Sequence, residues 1–224
     1  MEHIYYGIYE RFFKRILDVI LSLVALVVLS PLLLIVVILI IARMGWPVFF
    51  KQSRIGKDEK TFGMYKFRSM TNDRDENGVF LPDDQRITKL GNFIRKTSID
   101  ELPSLINILV GDMAIIGPRP LPERYLDRYT EEQRRRHEVR PGLSNPSTAH
   151  GRNSQTWEQQ FEGDVWYVDH VTFTTDVKSI WDTIKVVLTH EGATAEDGGA
   201  RGEFIGTAKI EDLKTDSEGN YMKL

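Results

Sequence analysis

The sequence predicts an irregular α/β chain of the α+β type: an N-terminal membrane anchor, a small sheet or hairpin, and several helices, some of them amphipathic and suited to a membrane surface. Three observations predict it. Ile16 to Ala42 is apolar apart from Asp18, Ser22 and Ser30. Two short strand-like segments, Pro47–Gln52 and Thr61–Met70, flank a polar turn. Behind them, helix-period apolar residues are punctuated by Gly and Pro rather than by further strands. The chain divides into a membrane-associated segment over 1–45, a globular domain over 46–191 and a mobile, polar C-terminal tail over 192–224.

The apolar run exceeds the roughly 20 residues a bilayer span needs and lacks the small-residue cleavage pattern of a signal peptide. Pro31, after Ser30, removes a backbone donor in its middle. Both flanks are basic, with Arg11, Lys14 and Arg15 before and Arg43, Lys51 and Arg54 after. Lys and Arg favour the cytoplasmic side, and a helix–break–helix that enters and leaves by one face satisfies that at both ends. The residues alone leave re-entrant and spanning readings open. Asp18 is costly in lipid unless paired, and Lys14 and Arg15 lie beside it.

A net charge of −3 argues against a nucleic-acid partner. The chain has no cysteine, which excludes disulfides, thiol catalysis and Cys-ligated zinc, and its five His show no HExxH spacing.

Along the domain, the alternation of Thr61–Met70 predicts the second strand of a hairpin, with Lys66 and Arg68 on one face. Residues 71–84 read as a loop. Residues 88–96 predict a short amphipathic helix delivering Arg95 and Lys96. A helix over 102–110 stops at Gly111. Pro118 and Pro120 clamp Arg119 in a rigid, extended turn. A single charged helix is predicted over 121–137, with Arg134-Arg135-Arg136 as a solvated face near its end. Two further helices, over 156–170 and 174–190, carry Trp157, Phe161, Trp166, Tyr167 and Trp181; Trp and Tyr are favoured at bilayer interfaces, and ordinary core packing is the competing reading for most of these residues.

The candidate site is Ser98-Ile99-Asp100-Glu101-Leu102-Pro103. Two adjacent carboxylates with Lys66, Arg68, Arg95, Arg119 and Arg152 elsewhere in the chain suit an anion, a divalent metal and one reacting carboxylate. Standing alone, the pair would read as acidic residues in a helix's first turn.

Taken together, the Ser30-Pro31 interruption, Tyr65-Lys66-Phe67-Arg68-Ser69-Met70, Leu81-Pro82-Asp83-Asp84-Gln85-Arg86, the Asp100-Glu101 stretch, Asn107-Ile108-Leu109-Val110-Gly111-Asp112-Met113, Ile116-Gly117-Pro118-Arg119-Pro120, Val139-Arg140-Pro141-Gly142 and Gly151-Arg152-Asn153 resemble the bacterial sugar transferases, and among them the small monotopic phosphoglycosyl transferases acting on polyprenol phosphate. The match follows the family's order from about residue 12 to 190. One stretch departs. Leu143-Ser144-Asn145-Pro146-Ser147-Thr148-Ala149-His150 stands where many members have Thr-Gly-Leu-Ala-Gln-Val, so no sugar specificity transfers.

The resemblance implies a reaction between a UDP-sugar and polyprenol (undecaprenyl) phosphate that gives polyprenol-diphospho-sugar and UMP with Mg²⁺. It implies Asp100 as the nucleophile forming a covalent phosphosugar intermediate, Glu101 as its partner, and both as metal ligands. Substrate contacts would come from Lys66, Arg68, Arg95, Pro118, Arg119, Pro120 and Arg152. It further implies a re-entrant anchor, membrane lipids as partners, no nucleic acid, and a cytoplasmic catalytic domain over 46–191 at the bacterial inner membrane, with monomer and homo-oligomer both open. The competing enzyme reading is a membrane-anchored glycosyltransferase that moves only the sugar and releases UDP. A membrane-anchored scaffold that binds a nucleotide sugar without turnover is disfavoured by the presence of Asp100 and the cations.

Overall fold

The computed structural model describes residues 7–146, 155–189 and 202–207. After a π-helical turn at Tyr9–Phe13, helix α1 runs from Lys14 to Met44. Strands β1 (Phe49–Ile55) and β2 (Thr61–Phe67) form an antiparallel hairpin. Then come α2 (Asp83–Arg86), α3 (Lys89–Lys96), a 3₁₀ segment at Ile99–Ser104, α4 (Leu105–Val110) and β3 (Ala114–Ile116). A 3₁₀ turn at Glu123–Arg128, α5 (Glu131–Arg134), a 3₁₀ turn at Arg135–His137 and β4 (Gly142–Ser144) follow, and α6 (Trp157–Asp169) and α7 (Phe173–Thr189) complete the elements.

Helix α1 is long and apolar enough to cross a membrane. It is one helix through Pro31 rather than two pieces around a break. The reason is local. Pro31 cannot donate to the carbonyl of Val27, and the Ser30 hydroxyl donates to that same carbonyl at 2.7 Å. The hydrogen bond lost to proline is thus replaced from its neighbour, which matters most where no water can substitute.

Both ends of α1 are fastened to one folded body. At its start, Lys14 pairs with Asp176 of α7 at 2.7 Å. Arg15 donates to the last carbonyls of α4, those of Ile108 and Leu109. The buried Asp18 accepts from the Ile115 amide of β3 at 3.0 Å. Midway, Ala25 and Leu26 pack against Met64, Leu105, Ile108 and Met113. Near its end, Val36 and Ile40 are buried with Val48, Phe67 and Ile94. Between these contacts the outer face is bare: Ile16, Ile20, Val24, Val27, Val28, Leu34, Ile35 and Ile38 are all exposed.

The hairpin is held against α4 by Asn107. Its Nδ2 donates to the Gly63 carbonyl and its Oδ1 accepts from the Tyr65 amide, each at 2.9 Å. A side-chain amide thereby completes the outer edge of β2 and fixes its distance from the 99–104 segment. Strands β3 and β4 pair in parallel, Ala114 opposite Gly142 and Ile116 opposite Ser144. Here the backbones touch: a Cβ on Gly142 would lie 2.1 Å from the Gly117 nitrogen, and one on Gly117 would lie 2.4 Å from the Arg140 carbonyl oxygen. Only glycine permits that approach.

Three further predicted features differ. The single helix over 121–137 is instead three short pieces, because Tyr129 and Thr130 are extended and Thr130 restarts the helix with a capping box to Gln133. The Arg134–Arg136 run is not a solvated face. Arg136 is buried and paired with Asp164, at 2.6 Å. The tail is anchored where it is described. Phe204 sits among Tyr125, Tyr129, Trp157 and Phe161, while Glu203 meets Arg124 and Arg128.

Candidate active site

Glu101 lies in the 3₁₀ segment that opens at Ser98, a left-handed residue with φ 56° and ψ 16°. A non-glycine residue there is uncommon and costs of order 1 kcal/mol, and this one sets the direction in which the acidic pair leaves α3. Ser104 locks the turn by donating to the Glu101 carbonyl at 2.6 Å.

The Glu101 side chain does not cap a helix. Its Oε1 accepts from Lys66 Nζ at 2.8 Å and from Arg119 Nη2 at 3.1 Å. The three groups come from β2, the 3₁₀ segment and the turn after β3, so the ion pairs join three separate pieces of chain. A pocket opens over them. Arg54, Met64 and Lys66 line it from the hairpin, Glu101 from below, Arg119 and Pro120 from the proline turn, and Gly142 and Leu143 from β4.

Asp100 is buried beside this pocket. Among the described residues no side chain donates a hydrogen bond to its carboxylate. Burial first, then the adjacent Glu101 charge, pushes its pKa up from 3.8 to about 6, against the opposing pull of Lys66 and Arg95. Of the two neighbouring carboxylates, Glu101 is engaged by two cations, while burial leaves Asp100 close to its titration point.

The proline turn is fixed from behind. Arg136 donates to the Arg119 carbonyl at 2.8 Å, to Tyr129 and to Asp164. Asp164 in turn accepts from Asn145, one residue beyond β4, at 2.8 Å. One buried pair thus supports the Arg119 wall and the start of the loop that leads to Arg152.

Of the residues singled out from sequence, the structure gathers Glu101, Lys66, Arg119 and Pro120 around the pocket, with Asp100 next to them. Pro118 serves through its carbonyl, which accepts from the Gly142 amide at 2.9 Å and ties the turn to β4. Arg95, at the end of α3, acts on Asp100 through space, and its guanidinium lies 4.0 Å from the Met70 sulfur. Arg68 is used differently. It does not share the Lys66 site, because β2 ends at Phe67 and the buried guanidinium turns to the carbonyls of Met44, Gly45 and Trp46. There it satisfies carbonyls left open at the end of α1. Arg152 lies outside the described residues.

Arg54 was not among the predicted site residues. It lines the pocket because β1 and β2 pair with Arg54 opposite Phe62 and Phe50 opposite Lys66. Counting in twos from Lys66 to Met64 and Phe62, and across to Arg54, stays on one face.

A family model described as bacterial sugar transferase matches residues 9–190. The chain belongs to the bacterial sugar transferase family.

The sugar transferase match takes in α1 and every pocket residue, and it ends before the 202–207 segment. The chain is 45% identical over 197 residues to the uncharacterized sugar transferase EpsL of Bacillus subtilis, covering 88% of this chain and 98% of that protein. It is 36% identical to the undecaprenyl-phosphate galactose phosphotransferase of Salmonella typhimurium, over 82% of this chain and 42% of that one. It is 38% identical to the UDP-N-acetylgalactosamine-undecaprenyl-phosphate N-acetylgalactosaminephosphotransferase of Aeromonas hydrophila, over 81% of this chain and 45% of that one. The chain thus spans nearly all of the first relative and less than half of the other two.

Proposed function

We propose that this sugar transferase moves a phospho-sugar from a UDP-sugar to polyprenol phosphate, giving polyprenol-diphospho-sugar and UMP. The observation that carries the reading is the pairing of Asp100 with a pocket of three cations around Glu101. A diphosphate repels an attacking carboxylate, and fixed cations remove that barrier. The relatives from Salmonella and Aeromonas, named for phosphotransfer to undecaprenyl phosphate, support the same chemistry.

In this reading Lys66 and Arg119 hold the diphosphate, with the Pro118–Pro120 turn keeping Arg119 in place. An Asp100 carboxylate oxygen attacks the sugar-side phosphorus. The bond to the UMP oxygen breaks and UMP leaves with the electron pair. A phosphate oxygen of the lipid then attacks the same phosphorus and the Asp100–phosphorus bond breaks, returning the carboxylate. Arg95 and Lys66 favour the ionised form of Asp100 that both steps need.

Among the described residues no group of three or more acidic or His side chains gathers to hold a metal. That suits Mg²⁺, which commonly takes one or two carboxylates and completes its shell with substrate phosphate and water. Asp100, to which no described side chain donates a hydrogen bond, and Glu101 are the residues that would hold it. Bound there, the ion would neutralise diphosphate oxygens.

The same proposal places the protein on the cytoplasmic face of the bacterial inner membrane, with α1 bending at Pro31 so that both its ends lie on that face. The fastening of both ends of α1 to one body supports it, as does the exposed stripe Phe173, Val177, Trp181 and Ile184 along α7. Purified protein in nanodiscs with Mg²⁺ and a panel of UDP-sugars, without lipid acceptor, is expected to release UMP and carry a phosphosugar adduct on Asp100 by peptide mass mapping. Release of UDP would replace the reading with transfer of the sugar alone. UMP formed only with polyprenol phosphate, and no adduct, would remove Asp100 as nucleophile.

A further inference from the structure

The charge around Glu101 does not balance. Lys66 and Arg119 both touch its carboxylate, and Arg54 lines the same pocket. Among the described residues, Lys66, Arg119, Arg54 and one carboxylate line the pocket. Even with Asp100 beside it counted as ionised, Arg95 also acts on that carboxylate, so the described charges leave a local positive excess.

Arg54 is the least satisfied of the three. Its Nη2 donates to Gln52 Oε1 at 2.7 Å. Its Nη1 is buried and has no hydrogen-bond partner among the described residues. A guanidinium presents donors in a planar fork that matches phosphate oxygens, and one prong of this fork is unused. Burial and the nearby Arg119 charge depress the Arg54 pKa to about 10, as expected for a cation crowded by another cation and lacking a full counter-charge. Its position is also rigid. The flanking Ile55 is buried, and the Ile55 amide donates to the Leu121 carbonyl at 3.1 Å, which ties the end of β1 to the proline turn.

We infer that Arg54 is a substrate-binding residue of this site that engages the phosphate groups of the nucleotide-sugar. It rests on the proposed nucleotide-sugar reaction and adds a residue to it. Gln52 orients the guanidinium from one side, Arg119 faces it from the other, and an anionic diphosphate would supply both the acceptor that Nη1 lacks and the charge that the pocket lacks.

The test uses full-length protein in nanodiscs and measures the dissociation constants of UDP by calorimetry and of uridine by competition, so that no turnover is required. Arg54→Gln is expected to weaken UDP by tenfold or more and uridine by less than twofold. The UDP affinity of the unaltered protein should also fall more steeply with salt than that of the variant. Arg54→Lys keeps the charge without the fork and should lie between them; it serves as the test should Arg54→Gln fail to fold. Unchanged UDP binding, or equal loss of UDP and uridine, overturns the inference and leaves Arg54 a wall residue. Failure of the proposed reaction looks different: UDP binds and depends on Arg54, yet no UDP-sugar yields UMP.

Discussion

Arg136 Nη2 lies 2.6 Å from Asp164 Oδ2, and neither side chain reaches solvent: 1% of one and 0% of the other is exposed. A pair so enclosed stabilises little in net terms, because desolvation offsets attraction, but losing one partner strands the other charge. Arg136→Met or Asp164→Ala is expected to cost about 3–5 kcal/mol. The double variant Arg136→Met/Asp164→Leu should cost less than either single change. Urea denaturation of the four proteins checks this. Because Arg136 also holds the Arg119 carbonyl, any variant that folds should show a raised KM for the UDP-sugar beyond its change in kcat.

Asp100 gives a pH dependence with a defined sign. Its folded pKa is raised from 3.8 to about 6, so the folded state holds this proton more tightly than the unfolded chain does. Below about pH 4 both states are protonated and nothing is lost. As pH rises through 6, the folded carboxyl must ionise in a buried place beside Glu101, and stability of up to about 3 kcal/mol disappears. Asp100→Asn should therefore be more stable than the unaltered protein at pH 8, with the difference fading towards pH 4, while UMP release is abolished. Glu101→Gln should shrink this pH-dependent loss of stability by removing the repulsion. A stability difference independent of pH would contradict the assignment.

The 202–207 segment is a strap rather than free tail. Phe204 lies 4.9 Å from the Phe161 ring centroid and is 2% exposed. Arg128 bonds both Glu203 and the Phe204 carbonyl. Truncating a buried Phe to Ala costs about 3–5 kcal/mol in a closed core. A strap can detach by itself, so the global loss should fall below that range. Phe204→Ala is expected to lower the thermal midpoint by several degrees and to speed amide exchange at Tyr125 and Trp157. Unchanged exchange there would mean the cluster holds without the strap.

The parts of the fold that were legible in the sequence are those that depend on near neighbours. The apolar run, the hairpin, the short helix α3 and the stop of α4 at Gly111 all follow from local chemistry. The misread parts depend on partners far along the chain. By sequence Arg136 reads as a solvated cation because Asp164, its counter-charge, is 28 residues away in another helix. Arg68 looked like a site residue because strand alternation put it beside Lys66, whereas the end of α1, over 20 residues earlier, claims it. Arg54 could be found only from the register of the hairpin. Some signals were present and unused: Thr130 and Gln133 have capping-box spacing, which marks a helix start inside the presumed single helix.

The position of α1 leads to the last prediction. Its 31 residues span about 46 Å as a straight helix, more than the roughly 30 Å of a hydrocarbon core. A spanning helix of that length would carry one end far from the domain that holds the other. Yet Lys14, Arg15 and Asp18 are bonded to α7, α4 and β3, and Arg68 caps the opposite end. The chain has no native cysteine, so single cysteines report cleanly. Gly7→Cys and Lys60→Cys, both at exposed positions, should react with a membrane-impermeant maleimide from the same side, in inside-out vesicles and not in intact spheroplasts. Labelling of the two sites from opposite sides would show a helix that crosses, and would require the bonds at one end of α1 to break in the membrane.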